Sequence, residues 1–313
     1  MEKRYNNFKN FELIEEGEEL FTMSHSERTS SVPAKLTTKQ AILGAVLAYI
    51  SLIISQLAAV LVSQGIVRLG VPSAVGSAIS GILYIVLAFL CVSLICRKCF
   101  KSTMDSCRIT KFSVKPIWGI TALILPCIIV FIYFMMPGHL KNTVMDAGEL
   151  CYTITNAVIF YGLAAGIVEE VIFRGVIMSA LEQRWNRYIA VIVPSVIFAL
   201  SHVIGADLNF VSILQLLVAG SMVGIMFSLI TYESGNIWNS ALMHIIWNIV
   251  MIGGILHIGV EENKYFLFNY VLDSHSFAIT GGDFGIEASV IAIMGYLIFS
   301  ILAIVLLQRR RLK

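Results

Sequence analysis

Eight apolar runs, most of them close to the length that crosses a bilayer, dominate this sequence and leave few folds open to it. They extend over about Ala41 to Val62, Ala74 to Cys96, Ile117 to Met136, Tyr152 to Gln183, Tyr188 to Ile204, Val211 to Thr231, Ile237 to Ile255 and Ala288 to Leu307. A spanning helix needs about 20 mostly apolar residues. Lipid offers backbone N–H and C=O groups no partners, so each run must bond within itself, as a helix does. The expected fold is therefore all-α: a polytopic membrane protein of about eight transmembrane helices packed as a bundle. Pro126 should kink the third helix. The fourth is too long to stand upright and should tilt or project.

Composition agrees. The chain is 58% hydrophobic and 13% charged, against about 45–50% and about 25% in soluble domains. A formal net charge of +2 gives no reason to expect a nucleic-acid partner. The expected partners are the lipid bilayer and a peptide or protein at the membrane. Residues 1–39 read as a polar tail without a signal peptide, and residues 40–313 as one transmembrane domain. Cys96-Arg-Lys-Cys99 is not followed by a second pair, so it reads as ordinary thiols at a helix end and not as a zinc site.

Orientation follows from the basic residues of the short loops. Arg97, Lys98, Lys101, Arg108, Lys111 and Lys115 lie between the second and third runs. Arg184 and Arg187 lie between the fourth and fifth, and Arg309, Arg310, Arg311 and Lys313 follow the eighth. With eight spans these all fall on one face, which sets the protein in the cell membrane with both termini cytosolic.

The ionisable groups inside the runs are concentrated on three of them. The fourth carries Glu169, Glu170 and Arg174, the fifth His202, and the seventh His244 with Asn248. Such groups are costly at that depth and mark function by default. Glu170 and Arg174 are four apart, acid first, the favoured order for a helical ion pair. Glu169 points about 100° away from Glu170 and has no evident partner. At about 1.5 Å per residue, Glu169, His202 and Asn248 fall in one layer roughly 20 Å from the basic face.

A carboxylate with an imidazole nearby can hold a water and take its proton, while a second imidazole and an amide steady the oxyanion. Glu169, His202 and His244 would also suit Zn²⁺ with an open water position. The spacing leaves both readings open. It equally allows structural roles: an ion pair stapling helices, a histidine capping a helix end, and interhelical hydrogen bonds. His-Glu-x-x-His, Gly-x-Ser-Gly and paired intramembrane aspartates are all absent from the sequence.

Glu-Glu-x-x-x-Arg at Glu169–Arg174, Phe-x-x-x-His at Phe198–His202 and His-x-x-x-Asn at His244–Asn248 resemble, in order and spacing, the CPBP intramembrane proteases. That family is also called CAAX prenyl protease 2 or Abi and includes bacteriocin self-immunity proteins. The likeness covers about residues 150–255. It implies a conical cavity opening towards the cytosol and the membrane, with Glu169 as the base and His202 helping to hold the water. His244 and Asn248 would form the oxyanion site, and Glu170 and Arg174 would support the fourth helix. The family is often labelled a metalloprotease, but the favoured reading is a metal-free glutamate mechanism. Two other classes remain open: a non-catalytic binding or immunity partner of the same fold, and a transporter. The transporter reading is weakened because no broken half-helix pair repeats between the two halves.

Overall fold

The computed structural model describes residues 35–311, so most of the expected polar tail lies outside the described residues. The eight apolar runs all emerge as helices. Six are long and apolar enough to cross a membrane: α1 (Thr38–Arg68), α2 (Ser73–Phe100), α3 (Pro116–Phe134), α4 (Ala147–Arg184), α6 (Phe210–Ser234) and α8 (Val290–Arg311). Two apolar helices are shorter, α5 (Arg187–Val203) and α7 (Trp238–Ile252). α1 starts where Thr37 and Gln40 form a reciprocal capping box, which satisfies donors that the first turn leaves orphaned.

Helix surfaces are inverted relative to a soluble bundle. α1 buries Ala41, Gly44, Ala48, Ser51, Ser55 and Ala59, and exposes Ile50, Ile53, Ile54, Leu57 and Leu61. Small residues facing inward let helices approach closely, while large apolar side chains outside suit lipid. The α5–α6 seam uses the same device: a Cβ on Gly220 would meet Ala199, and one on Gly224 would meet Ser195, in each case within 3.0 Å.

The two ends of the bundle differ. At one end the basic loops gather. Lys115 pairs with Glu233 at the end of α6 (2.6 Å), and Arg310 donates to the Glu233 carbonyl. Arg108 and Arg187 both pair with Glu182 near the end of α4. The expectation that these loops share one face therefore holds in the structure.

At the other end the loops form a small sheet that the sequence reading did not resolve. Its strands are β1 (Gly138–Asn142), β2 (Leu256–Gly259) and β3 (Phe268–Leu272), in the order β1-β3-β2. β1 runs antiparallel to β3, and β2 runs parallel to it.

Candidate active site

Glu169 and Glu170 sit on one α-helical turn, Gly166–Glu170, between two stretches of wider π-helix, Asn156–Ala165 and Val171–Ile177. Interruptions of this kind recur at functional sites. α7 likewise ends in a π stretch, Asn248–Ile252. Gly162 and Gly166, spaced as Gly-x-x-x-Gly, bring the two helices together. A Cβ on Gly166 would lie 2.8 Å from the Ile245 side chain and 3.0 Å from its backbone nitrogen. One on Gly162 would lie 2.5 Å from Ile249. The seam is thus closest along the faces that carry the glutamates, His244 and Asn248.

The result is a chain of charge. Arg174, fully buried, donates to Glu170 Oε1 at 2.7 Å and to the Gly224 carbonyl at 3.3 Å. Its guanidinium lies over the rings of Phe198 and Phe227, at 4.7 and 5.1 Å. Glu170, also fully buried, receives His244 Nδ1 at 3.1 Å on the same Oε1. A carboxylate only accepts, so Nδ1 carries the proton. His244 Nε2 then faces Glu169 Oε2 at 3.7 Å, a gap of the kind a water bridges. Phe227 stacks on the His244 ring at 5.0 Å.

Three buried acceptors at this site have no hydrogen-bond partner among the described residues: Glu169 Oε2, Glu170 Oε2 and Asn248 Oδ1. A buried polar atom left bare is costly, so each marks a place for a water or substrate donor. Asn248 Nδ2 already donates to the Tyr161 carbonyl at 2.9 Å, which fixes the amide and keeps its second N–H available.

His202 stands slightly apart. Its Nδ1 lies 2.8 Å from the Phe198 carbonyl, so that nitrogen donates and Nε2 is left open. Its ring packs on Phe198 at 4.7 Å and meets Phe284 at 6.5 Å. No hydrogen bond or ion pair joins it to Glu169 among the described residues; the imidazole beside Glu169 is that of His244. Glu170, expected as a brace, also orients that imidazole.

The three groups named for a metal do not assemble around one point. Among the described residues, no set of three or more His, Cys, Asp or Glu side chains is placed to hold an ion. Glu169, His202 and His244 therefore do not fit a zinc site in this arrangement.

Sequence reasoning missed several groups. Glu287, just before α8, accepts from Trp247 Nε1 at 3.2 Å and lies within electrostatic reach of both His202 and His244. Burial raises its carboxyl above the usual range, opposed by the Trp247 bond and the two histidines. Tyr84 of α2, buried, lies within electrostatic reach of Glu169. Trp247 thus anchors a carboxylate beside the site.

A cavity of about 1070 Å³ lies next to the site, and Met251, Phe284 and Glu287 form part of its wall. It lies at the sheet end, and none of Glu169, His202, His244 or Asn248 is among its lining residues. The loop between α7 and α8, which folds into β2, β3 and short helical turns, forms its wall. A second cavity, about 550 Å³, lies between α1, α2 and α4 and reaches Tyr161.

Residues 152–250 match the family model described as type II CAAX prenyl endopeptidase Rce1-like. That span contains all three motifs. No curated protein and no solved structure matches the chain.

Proposed function

We propose, from an Rce1-like type II CAAX prenyl endopeptidase domain at residues 152–250 that is consistent with the CPBP family, that this membrane protein is an intramembrane endopeptidase using glutamate-activated water. The observation that carries the reading is the Arg174–Glu170–His244 relay ending 3.7 Å from an unsatisfied Glu169 carboxylate oxygen. A structural ion pair needs Glu170 and Arg174. It does not need a second carboxylate left bare beside an oriented imidazole.

The steps follow from these groups. A water between Glu169 Oε2 and His244 Nε2 gives its proton to Glu169 as its oxygen attacks the substrate carbonyl. Glu170 holds His244 in one tautomer, so Nε2 keeps its lone pair for that water. The second N–H of Asn248 is free to receive the oxyanion. Glu169 then returns the proton to the leaving amine nitrogen as the C–N bond breaks. His202, with Nε2 open, flanks the same space. No step is routed through a metal.

The substrate is a peptide or protein segment at the membrane, and positive-inside logic puts both termini in the cytosol. Glu169→Gln tests the chemistry, because it keeps shape and removes the base. The variant should stay folded, with a melting temperature in detergent close to wild type. In comparative membrane proteomics it should accumulate at least one polypeptide that wild type cuts. If both membranes have the same processed termini, the binding or immunity-partner reading takes the place of the protease.

A further inference from the structure

Two free cysteines meet at the basic end of the bundle. Cys96 opens the π-helical end of α2, Cys96–Phe100, and Cys107 closes a short 3-10 turn, Met104–Cys107, in the loop that follows. Their sulfurs lie 3.8 Å apart, and both side chains are fully buried. The thiol that faces Cys96 is therefore not the nearby Cys99 but one eleven residues further on. The Ser102 N–H donates to the Cys96 carbonyl at 3.0 Å, which folds the loop back over the helix end. Lys101 and Arg108 flank the folded segment in left-handed backbone, with φ of 51° and 58°. Side chains disfavour that conformation, so surrounding contacts must hold it.

Those contacts reach both helices of the seam. On α4, Arg108 donates to Ser179 Oγ at 2.8 Å and pairs with Glu182. Ile109 packs on Gly175, the residue after Arg174: a Cβ there would lie 3.0 Å from the Ile109 side chain. At the start of α7, the Arg108 carbonyl accepts the Ile237 N–H at 3.2 Å. The Thr110 carbonyl accepts Trp238 Nε1 at 2.8 Å, and the Ser113 carbonyl accepts Asn239 Nδ2 at 3.1 Å. One loop thus clasps the basic ends of α4, which carries the two glutamates, and of α7, which carries His244 and Asn248. The thiol contact joins that clasp to α2.

We propose that Cys96 and Cys107 form a reversible disulfide that locks the clasp to α2. Bonded sulfurs lie about 2.05 Å apart, so these two must close by roughly 1.8 Å more, a distance that rotation about χ1 of either side chain covers. The oxidant is a peroxide, small enough to reach buried sulfur. One thiol attacks it: an S–O bond forms, the O–O bond breaks, and a sulfenic acid and one water result. The second sulfur then attacks the sulfenic sulfur. The S–S bond forms, the S–O bond breaks, and hydroxide leaves with the thiol proton as a second water. Two electrons pass from the thiols to one peroxide. Positive-inside logic puts this end in the cytosol, where thiols are kept reduced. The dithiol is then the resting state, and the disulfide marks oxidising conditions. This redox step does not depend on the endopeptidase reading.

The test uses the full chain in neutral detergent. Wild type is treated with hydrogen peroxide, remaining thiols are alkylated, and a digest is mapped by mass spectrometry without reduction. One linked peptide should join Cys96 to Cys107, and dithiothreitol should release it. The oxidised protein should melt about 5 °C or more above the reduced one. Dithiothreitol should reverse that rise in wild type, which gives the comparison even if a cysteine variant folds poorly. Cys107→Ser should abolish the rise, and Cys99→Ser should keep both the link and the rise. A link from Cys96 to Cys99, or Cys96 and Cys107 left unlinked after peroxide, overturns the pair. A Cys96–Cys107 link with no change in melting temperature overturns the lock.

Discussion

The α4–α7 seam and the sheet end of the site hold their charged groups in opposite ways. In the seam, Arg174 and Glu170 are fully buried, and each is fixed by more than one contact: guanidinium to carboxylate, guanidinium to the Gly224 carbonyl, carboxylate to His244. At the sheet end, His202 is hydrogen-bonded among the described residues only by its own helix, through the Phe198 carbonyl and the Ser201 hydroxyl, and the Glu287 carboxylate by one indole on the wall of an open cavity. The seam fixes the position of the groups assigned to water activation. Buried charge is tolerated where its geometry is over-determined, and the looser groups belong to the end that holds the cavity.

The sharpest way to break this contrast is to remove one member of the seam. Arg174→Ala strands the Glu170 carboxylate in a dry site, a loss of about 3–5 kcal/mol by analogy with other buried pairs. Thermal unfolding in detergent should show a large fall in melting temperature and poor yield. Replacing both partners by apolar residues of similar size, Glu170→Leu with Arg174→Met, should recover much of that stability. Activity should stay lost, because His244 no longer has an acceptor on Nδ1. A double variant as unstable as Arg174→Ala would mean that the seam depends on its charges for folding and not only for orientation.

A smaller effect is expected from the close approach itself. Gly166→Ala puts a methyl group 2.8 Å from the Ile245 side chain and 3.0 Å from its backbone nitrogen, so α7 must shift outward. A displacement near 1 Å can cost about 100-fold in rate. The expected result is a kcat drop of that order with only a modest change in melting temperature. Unchanged kcat would show that the glutamate–histidine geometry is less exacting than the seam suggests.

Much of this was legible in the sequence. Hydropathy is a local property, so the runs from Ile117 and Tyr188 began within one residue of α3 and α5. The same local count put the polar groups on the right three helices. Rotation about the helix axis was less legible. The π stretches on both sides of Gly166–Glu170 unwind the regular repeat, so a face extrapolated at 100° per residue could not reveal that His244 reaches both glutamates. The sheet was hidden for another reason. β2 is four residues long and depends on β3, twelve positions on in register, and no short-range pattern announces such a pairing. Glu287 looked like the other acids of its loop. Only Trp247, brought against it by tertiary packing, sets it apart.

Glu287 also supplies the mildest test of the comparison, one of pH. Burial raises its folded pKa above that of the unfolded chain, although Trp247, His202 and His244 pull the other way. The sign follows directly. Below the unfolded value, about 4.3, both states hold the proton and Glu287 adds no pH dependence. As pH rises past that value the unfolded chain ionises first, so the fold loses stability until the folded carboxyl also ionises, above which the loss is constant. Glu287→Gln removes the titration and keeps an oxygen for the Trp247 indole. The melting temperature of the variant relative to wild type should therefore rise from about pH 4 upward and then level off. A difference that stays flat across that window would mean that water in the cavity already solvates the carboxylate. The sheet end would then be more open than its burial indicates, and its contrast with the seam would be greater still.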